Sequence, residues 1–323
     1  MAAYTSINKP TDNFRTKLYT GNGSARSITF DESTNMQPDL MWLKGRNTTA
    51  SWLCNDVLRG ATKRLGTTST SNNNGSNYVA YSWKAAGAGS SNGDGTTTST
   101  VSVNTAAGCS LVQYAGASSA KTIGHGLGVT PDMMIVKTYS SGYEWAVYHK
   151  SLGHGKNLYL DSNGAASNTT TFWNNTAPTN QVFSAGGQII YTNYSGQNYI
   201  AYCFASKRGY SRIGAYEGNG SSDGTFVYTG FKPGWVLLKN TTTGTSWTLY
   251  DNQRPGYNDN NAYLLPDTTD SELSDKDIDL LSNGFKPRTS NSALNTSGDT
   301  YIYMAIAAEP LVDSTGKIVA TAR

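Results

Sequence analysis

Two Asp-x-x-Arg pairs, Asp56/Arg59 and Asp251/Arg254, and an acidic run, Asp267, Asp270, Glu272, Asp275, Asp277 and Asp279, come nearest to a reactive constellation in this chain. A carboxylate acting as general acid or base needs a partner held beside it, and at the aligned place a third segment offers His149 and Leu152 instead. An ion pair pinning a turn is the expectation for both pairs. The acidic run has oxygens to offer a calcium ion but lacks the Asp-x-Asp-x-Asp-Gly loop with a distal Glu, so a solvated loop is expected there. His125, His149 and His154 are too few and too irregular for a zinc site and are expected at the surface or in turns. Gly124-His-Gly-Leu-Gly128 is followed by no helix whose first amides would hold a phosphate. Cys54, Cys109 and Cys203 are odd in number and far apart, which suits small apolar core residues better than a disulfide framework. No catalytic centre local in sequence, no metal and no cofactor are expected, and the chain reads as a non-enzyme.

The elements that position these residues read as β-strands. Tyr at 21 and Trp at 7 are frequent, charged residues are only 15%, and 34 glycines punctuate short runs such as GTFVYTGF and TSWTLYD in which every second residue is apolar. Turn residues recur at the spacing of a sandwich or barrel, so the fold class is all-β, with antiparallel sandwich or jelly-roll-like modules. Short helical turns are expected only near 51–65 and 271–281. The net charge of +3 comes from basic residues scattered singly, which excludes a counterion-releasing nucleic-acid surface. The first residues, MAAYTSINKPTDNF, have no basic and apolar leader, and no run approaches a membrane span. Synthesis in a cytoplasm without membrane insertion is the expectation.

The same landmarks occur three times in one order. A strand ends in Tyr and a Gly turn at Tyr19, Tyr114 and Tyr216. A Pro then opens an apolar strand closed by Lys, at Pro38 to Lys44, Pro131 to Lys137 and Pro233 to Lys239. Trp52, Trp145 and Trp247 follow, and a Tyr-rich strand starting at Tyr78, Tyr199 and Tyr301 closes each copy. Between the second and third copies every landmark, including Phe183 and Phe285, is displaced by 102 residues; between the first and second the offset is 93 up to the Trp and 121 at the closing strand. The first copy therefore lacks 28 residues between Trp52 and Tyr78. A constant register of this kind marks an internal repeat.

This division gives residues 1–16 as an attachment arm, 17–86 as a shortened first copy and 87–108 as a Gly/Ser/Thr-rich flexible linker. Residues 109–210 and 211–310 form the second and third copies, expected as a rigid pair, and 311–323 a terminal hairpin. Trp52, Trp145 and Trp247, with Lys44, Lys137 and Lys239, hold repeated structural positions, and core packing is expected for the three Trp. Trp173, Asn174 and Asn175, with Asp267, Asp270 and Asp275, lie in the extra loops of the later copies and are the candidate surface-binding residues.

The blocks TKLYTGNG, PDLMWLK, DVLRGATK, GHGLGVTPDMMIVK, WAVYHKSLGHGKNLYL, FVYTGFKPGWVLLK and YIYMAIAAEP together resemble a repeat family of virion proteins of tailed bacteriophages, many from marine and cyanobacterial phages. The resemblance covers almost the whole chain and brings no catalytic residues. It implies a virion protein assembled in the host cytoplasm, a tail appendage or fibre-like subunit that contacts the host surface. Its partners would be further copies of itself, with a trimer in view, other virion proteins and a host-surface glycan or receptor. A capsid decoration protein and a virion glycan depolymerase are the rival readings.

Overall fold

Alternating apolar residues between Gly, Asn and Ser turns leave the backbone little choice but to pair laterally, because each strand has one face to bury and two edges to hydrogen-bond. The computed structural model describes residues 4–30, 36–66, 74–254, 258, 261–317 and 319–320. It is all-β: among the described residues the one helix is a single 3-10 turn at Pro10–Asp12. The first copy contributes β1 (Phe14–Asn22), β2 (Leu40–Gly45), β3 (Leu53–Asp56), β4 (Arg64–Gly66) and β5 (Asn74–Trp83). Two strands follow, β6 (Ser90–Asn92) and β7 (Ser99–Asn104). The second copy carries β8 (Cys109–Ala115), β9 (Lys121–Gly124), β10 (Met133–Thr138), β11 (Ala146–His149), β12 (Lys156–Tyr159), β13 (Ser167–Asn168), β14 (Val182–Ala185) and β15 (Asn198–Phe204). The third carries β16 (Ser211–Glu217), β17 (Val227–Tyr228), β18 (Phe231–Asn240), β19 (Thr248–Asp251), β20 (Tyr263–Leu264), β21 (Ile278–Leu281), β22 (Gly284–Pro287) and β23 (Thr300–Pro310).

Each copy builds one main antiparallel sheet in the same order, with its last long strand inserted between its first and second: β1-β5-β2-β3-β4, then β8-β15-β10-β11-β12, then β16-β23-β18-β19-β20. The registers also match. Tyr19 opposes Tyr78, Tyr114 opposes Tyr199 and Tyr216 opposes Tyr301, and the rings of each pair stack at 5.2, 5.2 and 5.0 Å.

Period-two alternation gives every sheet two faces, and the three inner faces meet in one shared core. Leu40, Trp42, Tyr81 and Trp83 from the first sheet, Met133, Ile135 and Tyr202 from the second, and Trp235, Leu237 and Met304 from the third belong to a single apolar cluster. Trp235 is fully buried at its centre, with ring centroids 5.7 Å from Trp83, 5.9 Å from Phe14, 6.2 Å from Tyr81 and 6.4 Å from Trp42. The outer faces of the second and third sheets are covered separately, by the two-stranded sheet β14-β9 and the three-stranded sheet β17-β22-β21. Each covering sheet closes a smaller core of its own.

Several expectations change. The three copies are not three independent sandwiches, nor do the last two form a pair apart from the first, because all three sheets share one core. Residues 87–108 are not a flexible linker: β6 and β7 extend the second sheet beyond β8, and Val101 is buried in the outer core. The small residues there serve close packing, since a Cβ on Gly95 would come within 2.3 Å of the Thr122 carbonyl oxygen. The segment before residue 17 is no free arm. Thr5 and Ile7 are buried, the Tyr4 hydroxyl donates to the Gly230 carbonyl at 2.5 Å, and β1 already begins at Phe14; residues 1–3 lie outside the described residues. Near 51–65 one short turn is present between β3 and β4, the Gly60 amide donating to the Asp56 carbonyl at 3.1 Å, whereas the turn expected near 271–281 is replaced by β21. At the C-terminal end the Asp313 amide donates to the Lys317 carbonyl and the Val319 amide to that of Leu311, so a hairpin-like turn forms; residues 318 and 321–323 lie outside the described residues.

A shared core makes unfolding cooperative. Trp235→Ala is expected to cost about 3–5 kcal/mol, and urea unfolding followed by near-UV and far-UV dichroism is expected to show one coincident transition. Separate transitions for the first copy and the rest would contradict the shared core.

Candidate functional site at the seams between sheets

Where two sheets meet, the core admits polar groups only if they are paired. β3 ends at Asp56, and the turn after it returns Arg59, so the i,i+3 spacing brings the guanidinium onto the carboxylate. Asp56 Oδ2 accepts from Arg59 Nε at 2.5 Å and Oδ1 from the Arg59 amide at 2.9 Å. A phenol from the next sheet completes the group, the Tyr202 hydroxyl donating to Asp56 Oδ2 at 2.8 Å. The Cys54 thiol lies 3.3 Å from the same hydroxyl.

The third sheet repeats the arrangement. Arg254 Nε donates to Asp251 Oδ2 at 2.6 Å, the Arg254 and Gln253 amides both reach Oδ1 at 2.9 Å, and the Tyr81 hydroxyl of the first sheet donates to Oδ2 at 2.6 Å. Burial works to raise the Asp251 carboxyl, but Arg254 and the two side-chain hydrogen bonds outweigh it and hold the group below the ordinary carboxylate range. Burial pushes Tyr81 and Tyr202 well above the usual phenol value. Neither carboxylate has a free lone pair facing solvent, and neither phenol is poised to ionise.

At the third seam the positions read His149, Leu152 and Met304 where the others read Asp, Arg and Tyr. His149 is buried rather than at the surface, because it takes over the turn's hydrogen bonding: Nδ1 accepts from the Ser151 amide at 3.2 Å, which leaves Nε2 to donate to the Tyr303 carbonyl at 3.4 Å. His125 is buried in the same manner, with Nδ1 accepting from Leu127 and Nε2 facing the Thr179 carbonyl, both at 3.2 Å. Only His154 is partly exposed.

The repeated Lys and Trp form a second buried layer. Lys44 and Lys239 are fully buried, Lys137 nearly so. Lys44 donates to the Ala50 carbonyl and Lys239 to that of Thr245, the same loop position in two copies. Burial lowers the Lys44 and Lys239 ammonium groups to about 8, partly offset by Asp270 and Asp267 respectively; Lys137 moves the same way. The indole N–H of Trp52 donates to the Leu265 carbonyl and that of Trp247 to the Tyr159 carbonyl, both at 2.8 Å and both across a seam. The indole N–H of Trp145, at the seam toward the shortened copy, meets no acceptor among the described residues.

The extra loops are what the later copies add to these seams. Arg46 binds Glu272 with two bonds, at 2.8 and 2.9 Å, and the Glu272 amide donates to the Arg46 carbonyl at 2.7 Å. At the next seam the Ala166 amide donates to the Thr241 carbonyl at 3.0 Å. Asp267 is half-buried, its Oδ1 accepting from the Trp247 amide at 3.0 Å; Asp270 and Asp275 are exposed, and the Tyr263 hydroxyl donates to Asp275. Trp173 is not a surface contact. It is 1% exposed, packs edge-on to Tyr148 at 5.6 Å and donates to the Lys156 carbonyl at 3.2 Å. Asn174 and Asn175 remain exposed, in a tight turn with φ of 50° and 44°. Among the described residues no hydrogen bond or ion pair joins Trp173, Asn174 or Asn175 to Asp267, Asp270 or Asp275. Among the described residues no group of three His, Cys, Asp or Glu could hold a metal ion, and the three cysteines are buried free thiols.

Sequence reasoning found the Asp-x-x-Arg pairs but missed Tyr81 and Tyr202. The signal was present: both Tyr, and Met304, fall at one position of the repeat register, and the register position that loses Asp is met by the one that loses Tyr.

A family model described as a domain of unknown function, DUF7483, matches residues 9–71 and 65–310; the chain belongs to this family. No curated protein and no solved structure matches it.

The seams carry two predictions. Asp251→Asn leaves the buried Arg254 with only the Glu272 carboxylate, 3.3 Å away, as counter-charge and is expected to cost about 3 kcal/mol, whereas Asp223→Asn on the exposed surface changes stability far less; chemical denaturation separates them. Burial lowers His149 to about 4, against about 6.5 unfolded. The unfolded chain therefore binds a proton first as pH falls, and stability is lost between these two values, by an amount on the order of 3 kcal/mol, and levels below. His125 shifts in the same direction. Denaturation midpoints from pH 7.5 to 4 are expected to fall for the native chain and to fall less for His149→Gln.

Proposed function

We propose that the chain is a non-enzymatic structural subunit of a tailed-phage particle, a tail appendage or fibre-like protein that contacts the host surface. The observation that carries the non-enzymatic part is where the reactive groups go. Both Asp/Arg pairs, all three cysteines, three lysines and two of the three histidines are buried, and the bonded ones spend their polar atoms on backbone or neighbouring sheets. A catalytic group must reach a substrate, and these hold sheets together. What faces water is mostly turn residues of Asn, Ser, Thr and Gly, a surface suited to weak contacts that gain strength when several copies engage at once. The resemblance of the repeat blocks to virion proteins supplies the setting, assembly in the host cytoplasm and association with further copies and other virion proteins.

Locating the chain on a particle tests this reading. Gold-labelled antibody against the purified chain is expected to mark the tail. Label spread over the head lattice would replace it with a capsid decoration protein, and shortening of host-surface polysaccharide by the purified chain would replace it with a depolymerase.

A further inference from the structure

Asn followed by Gly is the dipeptide in which the next backbone nitrogen can reach the Asn side chain with no Cβ in its way, and it occurs here at Asn22, Asn74, Asn92, Asn163, Asn219 and Asn283. In most of these the groups are already committed. Asn22 Oδ1 accepts from the Ser24 amide and Asn92 Oδ1 from the Asp94 amide, both at 3.1 Å, and Asn219 Oδ1 accepts from the Ser221 amide at 3.0 Å. Asn74 lies in β5, paired with Asn22, and Gly284 in β22, paired with Leu281. Asn163 differs. It is exposed together with Gly164, and its carboxamide makes no hydrogen bond among the described residues.

The backbone around Asn163 is held on both sides. Asp161 Oδ1 accepts from the Trp145 amide at 2.9 Å, and the Ala166 amide donates to the Thr241 carbonyl at 3.0 Å. Between these anchors the fully buried Lys239 of the neighbouring sheet donates from Nζ to the Asn163 main-chain carbonyl at 2.9 Å. At the other end of the same peptide unit the Gly164 amide donates to Ser162 Oγ at 3.2 Å. A cation on a peptide oxygen stabilises the negative charge that gathers there when the N–H gives up its proton, and a hydroxyl accepting from that N–H pulls in the same direction. One peptide unit is thus polarised at both ends beside an unbonded carboxamide. The turn after the equivalent Asp267 keeps the hydroxyl bond, Asp270 amide to Thr268 Oγ at 3.2 Å. It carries Thr269 and Asp270 in place of Asn163 and Gly164, and so has no side-chain amide to react.

We propose that Asn163–Gly164 is a self-modification site, at which the Lys239 and Ser162 bonds drive conversion of Asn163 to aspartate and isoaspartate. The Gly164 nitrogen gives up its proton and bonds to Asn163 Cγ. The Cγ–Nδ2 bond breaks, and Nδ2 departs as ammonia with that proton, leaving a cyclic imide. Water then opens the ring: attack at Cγ gives aspartate and attack at the main-chain carbonyl gives isoaspartate, with no oxidant or reductant involved. Either product puts a carboxylate into the residue that Lys239 holds, so the seam between the second and third sheets gains a negative charge as the chain ages. The inference does not depend on where the chain resides, so its failure would leave the virion reading standing.

The test is to incubate the intact chain at neutral pH, in buffer and in concentrated urea, and to follow each Asn–Gly peptide by mass spectrometry after digestion. Conversion at Asn163 is expected to run about tenfold faster in the folded chain than in urea, whereas Asn92 and Asn219 convert faster in urea. Gly164→Ala, at an exposed position where the added Cβ meets only Ser162 Oγ at 3.5 Å, is expected to slow conversion about tenfold or more with an unchanged melting temperature. Lys239→Met is expected to lower the folded rate at Asn163 to the urea rate and to leave the other pairs unchanged. A folded chain that converts Asn163 no faster than the urea-unfolded chain would overturn the proposal, and this comparison stands even if Lys239→Met does not fold. So would a folded Lys239→Met variant that keeps the full rate, or a Gly164→Ala variant that does.

Discussion

Each sheet in this molecule has an apolar inner face too large to leave in water, and no single sheet can bury it alone. Three of them close on one another, and Trp235, Trp42, Trp83 and Tyr81 fill the space at the centre. Aromatic side chains bury large areas and add edge-to-face contacts, so a few residues tie the three sheets into one cooperative unit. Every other feature is subordinate to that closure: the buried lysines lock the loops beside the core, and the polar seams settle how one sheet sits against the next.

The seams show how a repeated element specifies its neighbour. Tyr202 reaches Asp56, Tyr81 reaches Asp251, and the two indole bonds that cross seams run the same way round. A buried carboxylate held by both Arg and Tyr tolerates only a narrow range of sheet positions, since any shift leaves a charge without its partner. The seam with His149 and Met304 lacks this requirement, and backbone hydrogen bonds hold its turn instead. Asp, Arg and Tyr disappear there together, as expected if the three residues act as one unit.

Asymmetry enters through a single deletion. The block missing from the first copy removes the counterpart of β14, and the Trp145 indole at the seam toward that copy meets no acceptor among the described residues. The inner core tolerates this because its residues lie before and after the deletion. The outer face does not: Met41 and Leu43 of β2 are half-buried where their counterparts Met134, Val136, Val236 and Leu238 are sealed.

The sequence by itself determined the all-β class, the three copies and their register, the burial of Trp52, Trp145 and Trp247, and the pairing of Asp56 with Arg59 and Asp251 with Arg254. These follow from period-two alternation, turn residues and short i,i+3 spacings, all of which act between near neighbours along the chain. Only the tertiary structure decided that the copies share one core, that residues 87–108 are strands rather than linker, that Trp173 and two histidines are buried, and that Tyr81 and Tyr202 complete the carboxylate groups of other sheets. Those outcomes depend on which apolar face meets which. Composition cannot distinguish a Gly/Ser/Thr run that packs as an edge strand from one that stays solvated, because the difference lies in the neighbouring sheet that covers it.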